Sequence, residues 1–372
     1  MNPYKILVVD DSIFMRKMIT DMITEDAQFQ VIGTAKNGKE AVNMVKMLKP
    51  DAITMDIEMP EMNGLDALKI IMDIQPTPVI MLSSLTQDGA RETIVALERG
   101  AVDFVGKPSG SISLDLHRVR ELLLEKLHIA VKTNVLKFRS NPVVTPPIPR
   151  AKAVPRIEEL PKVTKEHTVP HVSHQQGSSQ VQQIVAIGTS TGGPRALHQV
   201  VSHIPGHLPA PVVIVQHMPP NFTKSLAQRL NSVSELHVVE AEEGMILQNG
   251  HAYVAPGGFH MTVARNGPGV YKIHISKEEA RGGHRPSVDI LFESLLPLKE
   301  LKRHIVLMTG MGADGAKGML ALKNAGAVTT IAESEETCIV YGMPRAAVEL
   351  KCVMHVLAQQ EIAPKLAQVV CK

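Results

Sequence analysis

Cysteine is scarce in this 372-residue chain: Cys338, Cys352 and Cys371 stand far apart, odd in number and without paired spacing. That argues against a disulfide framework and a thiolate zinc site, and a reducing cytoplasm is expected. Tryptophan is absent, and seven Phe and four Tyr are the only other aromatics, which speaks against stacking on single-stranded nucleic acid. No apolar run approaches the roughly 18 to 20 residues that span a bilayer. The opening MNPYKILVVDDS ends a short apolar run in two aspartates, so it does not read as a signal peptide.

A strong overall charge is also lacking, but the small total hides a division. The net charge is +2, yet residues 1–125 hold 13 Lys+Arg against 19 Asp+Glu, residues 126–180 hold 9 against 3, and residues 181–372 hold 17 against 15. Such different blocks are different parts, consistent with roughly 150 residues per domain. The middle block has hardly any apolar periodicity. Between Asn141 and Gln180 it carries seven prolines and ends in HVSHQQGSSQ. So little burial cannot offset the entropy of ordering, and the segment reads as a semi-extended, flexible tether kept soluble by its charge. A basic docking patch or a histidine metal tract is the alternative use.

What is present on either side is alternation. Lys5–Val9, Val31–Thr34, Ala52–Met55, Val79–Leu82 and Asp103–Val105 read as strands, with Ala41, Met44, Val45 and Leu48, then Leu65, Leu68 and Met72, at helical spacing between them. Gly38 and Gly64, each after an asparagine, mark turns into helices. Beyond the tether, Ile184–Ile187, Val212–Val215, Ile305–Met308 and Val328–Ile331 are short buried-type strands. Residues 238–275 alternate extended runs with Gly-rich turns and predict hairpins inserted in or attached to the core. The expected fold class is α/β: two doubly wound parallel-sheet domains, residues 1–125 and 181–372, joined by a flexible linker over 126–180. The second domain is the larger, Rossmann-like, with a β-hairpin insertion.

Open parallel sheets place their sites beyond the carboxyl ends of the strands. Asp10 and Asp11 end the first strand, Asp56 the third and Ser83 the fourth, and Lys107 follows the fifth. Three carboxylates converging on one edge repel unless a hard cation lies among them, and oxygen ligands of this kind suit Mg²⁺. A carboxylate beside that ion can attack a phosphoryl group, while a lysine and a hydroxyl hold its oxygens as charge shifts. Singly, each aspartate reads as well as a helix cap, Asp11-Ser12 before FMRKMI in particular. Chance explains such residues at four of the five strand ends, in order, poorly. On these residues the first 125 or so resemble the receiver domain of two-component response regulators. The resemblance implies a flavodoxin-like sheet of five parallel strands and phosphorylation of Asp56 by a histidine kinase. It implies Mg²⁺ organised by Asp10, Asp11, Asp56 and the backbone carbonyl of Glu58, with Ser83 and Lys107 reading the phosphoryl state. Serine at 83 replaces the usual threonine, and Phe104 a frequent tyrosine.

A second constellation lies beyond the tether. In IVAIGTSTGGP, residues 188–192 fit G-x-S-x-G, the sharp turn that exposes a serine above a sheet. Glycine-rich turns after strands also bind phosphate or merely turn the chain. The next strand ends at His217, on the same sheet edge as Ser190, where an imidazole could take the hydroxyl proton. A third, HIVLMTG, leads through MGADGA to Asp314, which could cap the following helix or orient the imidazole. The order Ser, His, Asp differs from the Ser, Asp/Glu, His of α/β-hydrolases, so the triad would be a convergent one.

With IGTSTGGP, QHMPPNFTKSLAQRLN, YVAPGGFHM, GGHRPSVDILFES, LMTGMGADGA and IVYGMPRAA, residues 181–372 resemble the catalytic domain of the chemotaxis protein-glutamate methylesterases, the CheB family. The resemblance implies Ser190 as nucleophile, His217 as general base then acid, Asp314 as its orienting partner and the backbone N–H of Met311 as an oxyanion donor. Arg285 and Ser287 would shape the substrate groove, with a structural ion pair the other reading of Arg285. Thr189 stands where the family often has alanine. The implied substrates are glutamate γ-methyl esters, and selected glutamines, on methyl-accepting chemoreceptors. A chemotaxis histidine kinase would be the phosphoryl donor, and the esterase would need no cofactor. The unphosphorylated receiver is expected to shield the Ser190 cleft. A receiver-linked transcription factor is the first rival, opposed by a nearly neutral second domain without a basic recognition helix, so no nucleic acid is expected. A nucleotide-binding module is the second, and it leaves His217 and Asp314 without a task.

Overall fold

The computed structural model describes residues 2–107, 113–135 and 180–371. The tether expected over 126–180 lies largely outside the described residues.

Five apolar runs form the N-terminal sheet: β1 (Tyr4–Val9), β2 (Phe29–Ala35), β3 (Ala52–Asp56), β4 (Val79–Ser83) and β5 (Asp103–Gly106). They pair in parallel in the order β2-β1-β3-β4-β5. The helices between them are α1 (Ile13–Thr24), α2 (Gly38–Leu48), α3 (Gly64–Ile74) and α4 (Gln87–Glu98), and α5 (Ser113–Ala130) closes the domain, continuing five residues past the expected boundary. Asn37 and Asn63 begin α2 and α3 by accepting the N–H of Glu40 at 2.9 Å and of Asp66 at 2.8 Å. At α1 the cap is Ser12, whose Oγ accepts from Met15 N, and Asp11 is left exposed at the strand end. The chain reverses its direction across the sheet between β1, which runs into Asp10, and β3, which ends in Asp56.

The C-terminal domain has seven parallel strands in the order β14-β13-β12-β6-β7-β9-β8. These are β6 (Gln183–Thr189), β7 (Val212–Gln216), β8 (His237–Glu240), β9 (His251–Val254), β12 (Lys302–Leu307), β13 (Thr329–Glu333) and β14 (His355–Leu357). Its helices are α6 (Gly193–Val201), α7 (Phe222–Val233), α8 (Val288–Ser294), α9 (Ala316–Asn324), α10 (Met343–Glu349) and α11 (Gln359–Val370). The hairpin expectation is met only in part. β10 (His260–Gly267) and β11 (Val270–Ser276) form one antiparallel hairpin, whereas β8 and β9 join the main sheet as parallel strands. The reason is burial: Ala252, Tyr253 and Val254 are all buried, so β9 packs on both faces as an interior parallel strand does. β6 lies in the middle, with β7 on one side and β12 on the other, so the switch point falls at the carboxyl end of β6.

The two domains share apolar packing. Leu97, Ala101 and Phe104 of the first belong to one continuous cluster with Phe222, Leu226 and Leu197 of the second, and the rings of Phe104 and Phe222 stack at 4.5 Å.

Candidate active site

The carboxyl end of β6 runs directly into Ser190, which is 9% exposed. Three groups hold the turn. Ser190 N donates to Thr309 O at 2.9 Å, Gly193 N donates to Ser190 O at 2.7 Å, and Thr309 Oγ1 donates to Thr191 O at 2.9 Å. Thr309 is itself anchored, because its N–H donates to the buried carboxylate of Glu333 at 2.9 Å. Gly192 starts α6 at φ 80°, a left-handed conformation that side chains resist. The turn therefore projects a small hydroxyl from a rigid backbone.

His217 follows β7, and its Nδ1 lies 3.2 Å from Ser190 Oγ. On the other side of the ring, Nε2 lies 2.9 Å from Asp314 Oδ2. The three side chains expected to meet are thus in line, with Nδ1 toward the hydroxyl and Nε2 toward the carboxylate. Asp314 does not cap the helix that follows it, because Gly315 starts α9. It caps α8 instead: Oδ2 accepts Val288 N at 2.7 Å, and Oδ1 accepts Asp289 N at 2.9 Å and Ser287 Oγ at 3.0 Å. Burial pushes this carboxyl up. The hydrogen bond and charge of His217 and the two backbone N–H groups outweigh burial and hold it at about 2. It is a fixed anion with all its donors in place.

The remaining expected residues divide. Ser287 is fully buried and serves Asp314, so it does not line an open groove. Arg285 donates to the carbonyls of Glu278 and Lys277, which makes it a brace of its own loop. Met311 is 42% exposed and follows Gly310, where an added Cβ would come within 2.7 Å of Ser190 Cβ. One neighbour was not foreseen: the ring of His284 stacks flat on that of His217, centroids 3.8 Å apart and planes 8° apart. Burial first, then the nearby His217, pushes His284 down to about 4 against the pull of Asp314, so it is neutral beside the His217 ring at ordinary pH. Its place in GGHRPS gave no periodic signal.

In the N-terminal domain, carboxylate oxygens of Asp10, Asp11 and Asp56 lie within 4.8 Å of one another. Lys107 Nζ stands 2.7 Å from Asp56 and 3.0 Å from Asp10. Burial raises Asp56 to about 6, with Asp10 and Asp11 adding to the rise and Lys107 opposing it. One lysine against three carboxylates leaves negative charge uncompensated, so the donor set fits a hard cation. A cavity of about 650 Å³ opens there, lined by Asp11, Asp56, Glu58, Ser84, Glu92 and Lys107 among others. Ser83 is turned elsewhere: its Oγ donates to Ser84 O and Gly89 O and accepts from Thr93 Oγ1 at 2.7 Å.

Comparison with known proteins settles the family. The CheB methylesterase family matches residues 185–366, and the response regulator receiver domain family matches residues 6–117. A protein-glutamate methylesterase/protein-glutamine glutaminase of Halalkalibacterium halodurans is 47% identical over 98% of this chain and 97% of its own. The chain belongs to this family. The Bacillus subtilis member is 46% identical over 99% of each chain. The solved CheB methylesterase catalytic domain of Thermotoga maritima is 44% identical, covering 50% of this chain and 98% of that one, with a TM-score of 0.49.

Within this methylesterase architecture, the receiver sits against the serine turn. Asp103 Oδ2 accepts the hydroxyl of Thr191, the residue after Ser190, at 2.7 Å, while its Oδ1 pairs with Lys126 at 2.7 Å. Glu98, ending α4, takes Arg229 Nε of α7 at 2.8 and 3.1 Å. Asn221 Nδ2 donates to Leu85 O at 3.5 Å. Among the described residues no helix is long and apolar enough to cross a membrane.

Proposed function

We propose that this chain hydrolyses glutamate γ-methyl esters on methyl-accepting chemoreceptors in the cytoplasm, and deamidates selected receptor glutamines to glutamates, with Ser190 as nucleophile. The observation that carries the reading is the continuous line from Ser190 Oγ through His217 to Asp314, at 3.2 and 2.9 Å. His217 Nδ1 takes the hydroxyl proton while Oγ attacks the ester carbonyl, and Nε2–H remains on Asp314, whose charge stabilises the imidazolium. The carbonyl electron pair moves onto oxygen, which accepts from the Met311 N–H. Methoxide departs with the proton from Nδ1, giving methanol and an acyl-serine. Water then gives its proton to Nδ1, attacks the acyl carbon and restores Ser190 as the glutamate carboxylate leaves. An amide follows the same steps with ammonia as the leaving group. Methanol release from methylated receptor membranes, with and without a phosphoryl donor, tests the reading.

The same proposal gives the receiver its role: it covers the Ser190 cleft until Asp56 is phosphorylated by a chemotaxis histidine kinase. Mg²⁺ held by Asp10, Asp11, Asp56 and the Glu58 carbonyl would supply charge neutralisation for the incoming phosphoryl group. The chain's own residues do the rest. Asp56 accepts the group, Lys107 moves from the carboxylates to its oxygens, and the Ser83 hydroxyl leaves Gly89 and Thr93 of α4 to do the same. Since α4 ends in Glu98, this shift reaches the contact with Arg229. The tether keeps the receiver at high local concentration, so shielding needs little affinity. Asp103→Ala in the full chain is expected to raise unphosphorylated methanol release about 5-fold, the equivalent of about 1 kcal/mol of docking energy. A fragment starting at Gln180 is expected to exceed that rate; if it is no faster than the unphosphorylated whole, shielding is wrong. Asp56→Asn is expected to keep the basal rate and lose all response to acetyl phosphate, measured in the same assay.

A further inference from the structure

Gln216, the last residue of β7, stands among the reacting groups, and neither the family resemblance nor the triad gives it a task. It is 2% exposed, and both ends of its amide are used. Nε2 donates to Ser190 O at 2.9 Å and to His217 O at 3.2 Å, and Oε1 accepts the hydroxyl of the fully buried Thr189 at 2.5 Å. One planar group thus ties together the residue before the nucleophile, the backbone of the nucleophile and the backbone of the base. The fold makes room for it at Gly193, where an added Cβ would stand 1.9 Å from Gln216 Oε1 and 2.7 Å from Thr189 Oγ1.

The location explains the need. Thr189 and Gln216 are the last register pair between β6 and β7, and His217 N donates to Thr189 O at 3.2 Å just past it. Beyond that point the two segments part, one into the turn before α6 and the other into the loop before α7. The hydroxyl and the imidazole sit where the sheet's own hydrogen bonds stop. A side-chain amide with two N–H donors and one acceptor oxygen can bridge two backbone carbonyls on diverging segments, and it needs a donor on the far side to hold its plane. Thr189 is that donor.

We propose that Gln216, oriented by the Thr189 hydroxyl, is a positioning residue that sets the separation between Ser190 Oγ and His217 Nδ1. It touches no substrate and moves no proton. It acts through the geometry of two groups that must be within hydrogen-bond reach when the proton transfers. The inference rests on Ser190 being the nucleophile.

The test uses the full chain treated with acetyl phosphate and Mg²⁺, with two readouts: the rate at which a fluorophosphonate probe labels Ser190, and kcat and KM for methanol release from methylated receptor membranes. Thr189→Val keeps the shape and removes the hydroxyl; it is expected to lower both the labelling rate and kcat about 5- to 10-fold with KM unchanged, and Gln216→Leu about 100-fold. Thr189→Ser restores the donor and is expected to stay within about 2-fold of the wild type. A folded Thr189→Val that labels and turns over at the wild-type rate overturns the proposal, as does a Thr189→Ser that loses as much as Thr189→Val, since packing would then be the cause. A rise in KM at constant kcat overturns it too. A wild-type chain that the probe does not label at all overturns the nucleophile assignment, and this inference with it.

Discussion

Replacing Ser190 with alanine is expected to lower methanol release by at least about 10⁴-fold while leaving the protein folded. The two halves of this expectation have separate causes. In the proposed mechanism the rate falls because Oγ is the atom that forms the acyl bond, and neither His217 nor the Met311 N–H can offer a substitute nucleophile held at the same place. The fold persists because the hydroxyl carries little of the local structure. The turn is held by backbone groups: Ser190 N on Thr309 O, and Gly193 N and Gln216 Nε2 on Ser190 O. All of these survive in alanine. The side-chain contact given up is the one to His217 at 3.2 Å, whose loss changes stability by roughly 1 kcal/mol or less. An unchanged melting temperature and continued acceptance of a phosphoryl group at Asp56 would show both domains intact. Release near the wild-type rate in that folded variant would reject Ser190 as the nucleophile.

The strand ends were legible because buried parallel strands advertise themselves. KILVV, AITM, VIML and VVIV are short apolar runs, and the first chemically active residue after each is where a site must be. That is why Asp10, Asp56, Ser83 and His217 could be singled out as candidates, while Ser190 needed the G-x-S-x-G turn as well. β8 and β9 were misread because each is only four residues long and Gly244 and Gly250 lie between them, so a parallel pair and a hairpin leave the same pattern. The supporting residues were hidden for another reason. Gln216 and Glu333 are polar positions at the ends of apolar strands, and sequence does not say whether such a side chain faces water or a buried donor. The most instructive case is Asp314. Its place before AKGMLALKNAG left a cap for that helix and a partner for His217 both open, yet besides His217 its donors come from residues 287–289, a relation that exists only once α8 has packed beside α9. The contacts between the domains were equally out of reach, since Glu98 and Arg229 lie 131 positions apart and each alone reads as a solvated charge.

That cap gives Asp314→Asn two expected consequences from one substitution. In the proposed mechanism, Nδ1 must be free of a proton to receive one from Ser190, so the proton of the neutral ring must sit on Nε2 and point at residue 314. A carboxylate enforces this tautomer because it can only accept. An asparagine that turns its NH₂ toward Nε2 selects the opposite tautomer, with Nδ1 protonated and useless as a base. The expected loss in kcat is about 10³- to 10⁴-fold. In stability, the carboxylate accepts Val288 N, Asp289 N, Ser287 Oγ and His217 Nε2, and an amide, with one acceptor oxygen, must set a donor against a donor. Holding this carboxyl at about 2 instead of the ordinary 3.8 corresponds to about 2 kcal/mol. For a carboxyl whose folded value is depressed, that stabilisation is fully present above the unfolded value and is lost as pH falls through the folded one, so it fades between about pH 5 and pH 2. Denaturant unfolding of wild type and Asp314→Asn should therefore differ by roughly 2 kcal/mol at pH 7, and the gap should narrow steadily as the pH is lowered toward 3. A gap that is constant across that range would mean that the carboxylate's charge contributes nothing to holding α8, and that the loss comes from packing.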